Sequence, residues 1–233
     1  MKDSLLSLGL TLMVGLTLAG YLVSDGIKTI KTADRYVTVK GLSEKNVKAD
    51  MAAWNIVFMS QGATFDKAIA GNKVDQEKIV GYLKGQGLED GNIEIGTPRV
   101  QQNLYNQNVA GSDMRYSIEH SILIKSKDVG LIKTIATRSS EILQLGVALS
   151  GWNEPNYYFT SLNAIKPGMI AEATVNARKA AEKFAQDSAS KVGKIKKARQ
   201  GQFSFHGVAG LEQITQIDKI VRVVITVDYF LID

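Results

Sequence analysis

Met114-Arg115-Tyr116-Ser117-Ile118-Glu119-His120-Ser121-Ile122-Leu123-Ile124-Lys125 decides the fold. Met114, Tyr116, Ile118, His120, Ile122 and Ile124 alternate with Arg115, Ser117, Glu119, Ser121 and Lys125. A period of two puts one set of side chains on each face of a strand, so this is a half-buried strand of an antiparallel sheet with one apolar face. That face needs a cover.

Covers stand on both sides of it. Thr64 to Leu83 carries Phe65, Ala68, Ile69, Asn72, Gln76, Ile79, Val80 and Leu83 at helical spacing, with Thr64 as N-cap and Gly85 and Gly87 as the stop. Asp128 caps a second helix bearing Val129, Ile132, Ile135, Ala136 and Leu143, expected to run to Gly146. A third helix has Pro167 near its first turn. Ile170, Ala173, Thr174, Ala177, Ala181, Phe184 and Ala185 line one face, and Gly193 is expected to end it.

The remaining strands are short or mixed. Tyr36 to Val39 is one, ending at Gly41. Val47 to Ser60 is another, whose apolar residues change parity at Trp54, as a bulge or a doubly buried strand would. Ile93 to Tyr105 is interrupted at Pro98. Val147 to Leu149 restarts a strand that Tyr157-Tyr158-Phe159 extends, Ile195 to Phe205 follows, and Val221, Val223, Ile225, Val227, Tyr229 and Leu231 fill one face of the last. The fold class is therefore α+β, antiparallel sheets with helices packed on one face. The order strand, helix, strand, strand occurs twice, which divides the body into similar halves, about 35–126 and 127–233.

The N-terminus differs from all of this. Leu5 to Val23 contains no charge. As a helix rising about 1.5 Å per residue it measures roughly 28 Å, close to a hydrocarbon core of about 30 Å. Residues 1–23 are thus expected to be a transmembrane anchor or signal sequence, 24–34 a tether and 35–233 the folded body. The nearest cleavage site, Thr17-Leu18-Ala19, is poor because Thr17 is β-branched, which favours an uncleaved anchor. Lysine and arginine counts around the run would place the body in the cytoplasm. Ser7, Thr11, Gly15 and Ala19 recur every four residues and make a stripe of small side chains suited to close packing of two membrane helices.

Composition excludes several classes. The 233 residues hold no cysteine, which removes disulfides, thiolate metal sites and cysteine nucleophiles. The net charge of +5 is mild and gives no clustered basic face for nucleic acid. Lys194, Lys196, Lys197 and Arg199 form a small basic group, read as a solvated edge strand. His120 and His206 lie on separate strands with no second ligand at metal-binding spacing. The expectation is no cofactor, no metal, no catalytic residues and no enzyme. Trp152, Tyr157, Tyr158 and Phe159 crowd one Pro- and Asn-containing stretch. They suit a subunit interface, a ligand contact or local core packing.

Arg35-Tyr36-Val37-Thr38-Val39-Lys40-Gly41-Leu42-Ser43-Glu44, then Val47-Lys48-Ala49-Asp50, resembles the start of a SIMPL domain. Ala173 to Ala185, with Val192-Gly193-Lys194-Ile195 and the closing strand from Val223 to Leu231, is similar to the rest of that family's pattern. The resemblance implies a bacterial periplasmic or envelope protein, with relatives that include an oxidative-stress defence protein and an outer-membrane immunogenic protein assembling into a channel-like homo-oligomer. On these grounds the body is expected in the periplasm, held at the inner membrane through residues 5–23, or released there after signal cleavage. The expected work is homo-oligomeric assembly into a ring, cage or channel-like particle, in envelope or oxidative-stress defence. The alternative is a periplasmic binding module for a small ligand or envelope polymer.

Overall fold

The computed structural model describes residues 12–13, 15–24, 35–102, 115–151, 153–207 and 214–232. Residues 15–24 are helical and form α1. After it come β1 (Tyr36–Lys48), β2 (Met51–Gly62), α2 (Phe65–Gly85), β3 (Ile93–Ile95), β4 (Arg99–Gln102), β5 (Tyr116–Ser126), α3 (Val129–Thr137) and α4 (Ser140–Gln144). β6 (Asn156–Tyr158), α5 (Leu162–Asp187), β7 (Lys191–Gln200), β8 (Ser204–Gly207) and β9 (Asp218–Ile232) complete the chain. The fold is α+β, with antiparallel strand pairings and helices.

Two compact units interleave along the sequence instead of dividing it near residue 126. One comprises Lys45–Ile165 with Phe205–Val221, the other Met1–Glu44, Lys166–Ser204 and Arg222–Asp233.

In the unit that holds β5, the sheet order is β3-β5-β2-β6, with β4 also on β5. β2 and β5 pair antiparallel without a register shift from Ala52↔Ser126 to Gly62↔Tyr116. Ile118, His120, Ile122 and Ile124 on β5 are buried, as their alternation dictates. They face the same core as Trp54, Ile56 and Phe58 of β2. α2 and α3 lie against this sheet and add Ile79, Leu83, Ile132 and Ile135. Both helix starts follow their caps: Thr64 Oγ1 accepts from Lys67 N at 3.3 Å and Asp128 Oδ1 from Leu131 N at 2.8 Å. Gly87, at φ +97°, takes the left-handed conformation that closes α2.

In the other unit the sheet order is β1-β9-β7. Val223, Ile225, Val227 and Tyr229 of β9 are buried. α5 turns Met169, Ala173, Ala177, Ala181 and Ala185 inward. Alanine lets it come close: a Cβ on Gly41 of β1 would lie 1.9 Å from the Ala173 carbonyl oxygen and 2.8 Å from the Ala177 Cβ. Ser43 Oγ donates to Glu172 Oε2 at 2.8 Å, and Asn176 Nδ2 to the Leu42 carbonyl at 2.9 Å. β7 is an edge strand with two irregularities in its register against β9, and Lys194, Lys196, Lys197 and Arg199 stand exposed along it. Bulges and lysines both discourage pairing with a further strand.

Several elements depart from their sequence patterns. The stretch from Val47 to Ser60 is divided at Ala49-Asp50 between two strands, and within β2 the buried positions stay even from Ala52 to Gly62, so no bulge stands at Trp54; β1 continues through Gly41. The helix after Asp128 divides into α3 and α4, where the Thr137 hydroxyl turns back to the Lys133 and Thr134 carbonyls. Of the strand expected over 147–159, a single bridge at Leu149 and the three residues of β6 exist, because Gly151 sits at φ +71° and turns the chain. Gly193 does not end the third helix. α5 closes at Asp187, the chain turns at Ala189 (φ 53°), and Gly193 lies within β7 with room for a Cβ only 3.1 Å from the Phe230 carbonyl. Phe184, placed on the inner face by its spacing, is 60% exposed, since the alanines leave no depth for a ring.

Among the described residues no helix is long and apolar enough to cross a membrane. Most of the expected anchor and tether, with Ser7 and Thr11, lies outside the described residues, as does Trp152.

Candidate functional site

The crowded aromatic stretch lies in β6 and just after it. β6 is fixed on three sides. Its residues pair with β2 as Met51↔Tyr158, Ala52↔Tyr157 and Ala53↔Asn156. Tyr157 N donates to the Ile214 carbonyl at 2.7 Å, and Asp50 N to the Tyr158 carbonyl at 2.9 Å. Beyond β6, the Asp50 carboxylate accepts from Thr160 N (2.7 Å), Thr160 Oγ1 (2.9 Å) and Ser161 N (3.0 Å). Burial raises the Asp50 carboxyl, but these hydrogen bonds from Ser161 and Thr160 outweigh it and hold the group below its ordinary value.

So anchored, Tyr157, Tyr158 and Phe159 wall one side of a cavity of about 180 Å³. Among the described residues, Phe205, Ile214 and Lys219 also line it. Tyr157 is buried and Tyr158, at 41% exposure, marks the mouth. Burial and the nearby Glu154 charge raise the Tyr157 phenol, so its hydroxyl keeps its proton. Lys219 is 4% exposed, and desolvation lowers its ammonium from the usual lysine value. The segment that brings it here is set by Ala49 N, which donates to the Ile217 carbonyl at 2.8 Å. An apolar hollow with a few convergent polar groups is the general form of a small-molecule site.

The structure brings together three of the four aromatic residues picked out in the sequence, Tyr157, Tyr158 and Phe159. Phe205, Ile214 and Lys219 were missed. Lys219 precedes the apolar run of β9 and reads there as a solvent-facing strand end; only the return of the chain to β6 buries it. Gly15 and Ala19 share one exposed face of the N-terminal helix with Leu12 and Leu16. His206 is exposed. His120 is buried, with two hydrogen-bond partners: Nδ1 lies 2.8 Å from Asn72 Oδ1 and Nε2 lies 2.9 Å from the Gly96 carbonyl. Among the described residues no three histidine or carboxylate side chains converge as a metal site.

No curated protein matches the chain. One family model does match: SIMPL, described as a protein of unknown function (DUF541), over residues 37–219. That span covers β2 to β8 and nearly all of β1, and takes in every described residue around the cavity. The chain belongs to the SIMPL family.

Proposed function

We propose that this protein is a non-enzymatic binding module for a small ligand, carried on the membrane of the bacterial envelope by residues 5–23 with its body in the periplasm. The observation that carries the binding role is the cavity between Tyr157, Tyr158, Phe159, Phe205, Ile214 and Lys219. An aromatic stretch alone fits core packing as well as recognition; a hollow beside it favours recognition. The uncharged run from Leu5 to Val23 supports the tether, and the family's resemblance to envelope proteins supports export. The test is a ligand-observed NMR screen of one-ring compounds against the full chain in nanodiscs, with empty nanodiscs as control. Hits should lose saturation transfer on Phe205→Ala. A screen without hits, or hits indifferent to Phe205→Ala, overturns the reading.

A second reading, homo-oligomeric assembly into a ring or channel-like particle, is favoured by α5. That helix buries alanines while Val175 and Phe184 stand 52% and 60% exposed. Large apolar side chains left exposed suit a contact with another copy. Mass photometry of the solubilised full chain tests it, and a monomer at micromolar concentration rejects it.

A further inference from the structure

We infer that the outer face of the sheet formed by β1, β9 and β7 docks on an anionic lipid surface, the bilayer from which the chain itself emerges. This rests on residues 5–23 lying in that bilayer and adds which side of the body meets it. α5 covers the inner face, where Val39, Gly41, Val223, Val227 and Tyr229 are buried. The outer face is defined by contacts across it. Thr38 Oγ1 donates to Asp228 Oδ1 at 2.8 Å, and Arg222 Nε lies 3.5 Å from Glu44 Oε1. The strand period of two adds Lys40 and Leu42 between Thr38 and Glu44. The register of β7 on β9 adds Lys191 beside Ile232, Lys197 beside Asp228 and Arg199 beside Thr226. Lys196 joins them. At the irregularity between Ile195 and Lys197 its ammonium lies over this face, 4.1 Å from the Tyr36 ring centroid and 5.5 Å from that of Phe230.

Among the described residues, six cations (Lys40, Lys191, Lys196, Lys197, Arg199 and Arg222) therefore share this face with two carboxylates, and both carboxylates are engaged, Glu44 by Arg222 and Asp228 by Thr38. α5 differs: there Arg178 pairs with Glu182 and Lys183 with Asp187. Edge protection explains lysines on β1 and β7, which border the sheet, but not Arg222 on the central β9. Nor does it explain the apolar tips of Tyr36, Leu42 and Ile232, exposed among the cations. Cations interleaved with rings and aliphatic chains suit a headgroup layer. Ammonium and guanidinium groups meet phosphates there, while stems and rings reach toward the acyl boundary. A soluble polyanion would engage the cations and leave the apolar tips in water. The chain also sets a distance. Val23 closes the uncharged run and Tyr36 opens β1 thirteen residues later, so Tyr36 stands no more than about 45 Å from the end of that run. The chain enters the sheet at this aromatic end, where Leu231 N donates to the Arg35 carbonyl at 2.9 Å.

A chain without cysteine takes a label at one chosen place. Leu42→Cys on the outer face and Val175→Cys on α5, each carrying a fluorophore in the full chain, are placed in nanodiscs of phosphatidylglycerol or phosphatidylcholine doped with headgroup-spin-labelled lipid as quencher. In phosphatidylglycerol the Leu42 label should be quenched about threefold or more over the Val175 label. The difference should collapse in phosphatidylcholine, and in about 1 M salt, where screening leaves a reach of about 3 Å. Neither change of conditions alters the covalent protein. Lys40→Gln with Lys197→Gln and Arg199→Gln should release the Leu42 label in the same way at an unchanged melting temperature. If the chain enters the nanodiscs but both labels quench alike in phosphatidylglycerol, or the difference survives in phosphatidylcholine and in salt, the docked face falls and the anchor stands. Energy transfer between labelled chains without lipid quenching at Leu42 gives the face to a second copy and likewise overturns the docking. If the chain enters discs of neither composition, anchor and docked face fall together.

Discussion

His120 Nδ1 and Asn72 Oδ1 lie 2.8 Å apart, joining β5 to α2 in the core of their unit. The contact is the middle of a chain. On one side Asn72 Nδ2 approaches Ser60 Oγ at 3.4 Å, and that hydroxyl donates to Asp75 Oδ2 at 2.6 Å. On the other, His120 Nε2 reaches the Gly96 carbonyl at 2.9 Å. Phe58 lies against the imidazole with ring centroids 5.3 Å apart. A helix face with Asn72 in its middle is thus not a weakened apolar stripe but one end of a satisfied polar network.

The network predicts a large effect from a small change. Asn72→Leu strands a buried imidazole nitrogen and should lower stability by about 1–3 kcal/mol. Adding His120→Phe should restore part of the loss, because the second change removes the orphaned donor. Urea unfolding of the two single variants and the double variant measures the coupling. Strictly additive losses would mean that the two side chains do not cooperate.

Asp50 predicts the acid limb. Its carboxyl is lower in the folded state than the ordinary value of 3.8. The folded form therefore stays charged after the unfolded chain has begun to take up protons. The stabilisation is fully present above the unfolded value and is lost as pH falls through the folded one. Asp50→Asn should flatten that acid limb. Asp50→Ala should lower stability by about 1 kcal/mol at neutral pH, as loss of a helix cap does. It should also speed amide exchange at Thr160 and Ser161.

Tyr82 predicts the alkaline limb. Burial first, then the hydrogen bond and charge of Glu141, push its phenol up to about 12, against a smaller opposing pull from Arg138. The hydroxyl donates to Glu141 Oε2 at 3.0 Å. The unfolded phenol ionises near pH 10, so stability should decline as pH rises from about 10 through 12. In Tyr82→Phe this part of the decline should vanish, at the expense of about 1 kcal/mol at neutral pH for the lost hydrogen bond. Thermal melts between pH 8 and 12 give both quantities.

Phe184 predicts the state of association. Phe184→Ser replaces an exposed ring and should change thermal stability by no more than about 0.5 kcal/mol. If α5 meets another copy, mass photometry should show the distribution moving toward monomer. A large fall in melting temperature would instead mean that the ring supports its own subunit.

Local signals in the sequence translated well into structure. Strict alternation gave β5 its buried face, and Thr64, Asp128 and Gly87 sit at helix ends as their chemistry requires. Signals with two structural meanings did not. A glycine after an alanine-rich helix looks like a stop whether it ends the helix or, as Gly193 does, relieves a close approach within the next strand. The stretch 147–155 looked like a strand because nothing in its order announces Asn153 as a surrogate strand. Its side chain accepts from Val57 N at 2.8 Å, and its backbone carbonyl from Trp54 Nε1 at 2.9 Å. The pocket was half legible for the same reason. Tyr157 to Phe159 are neighbours in sequence, whereas Phe205, Ile214 and Lys219 reach them only through the return of the chain.

The contact between Gly41 and α5 also bears on the protein's history. Any side chain at Gly41 would run into the backbone of Ala173 and the methyl of Ala177. A larger residue at one of these places requires the helix to lift, which would uncover β9 and break the bonds at Leu42 and Ser43. Substitutions here are therefore accessible to selection only in concert. Among descendants of this chain the three positions should be inherited as one unit, drifting together or not at all, while the exposed Val175 and Phe184 of the same helix are free to change one at a time.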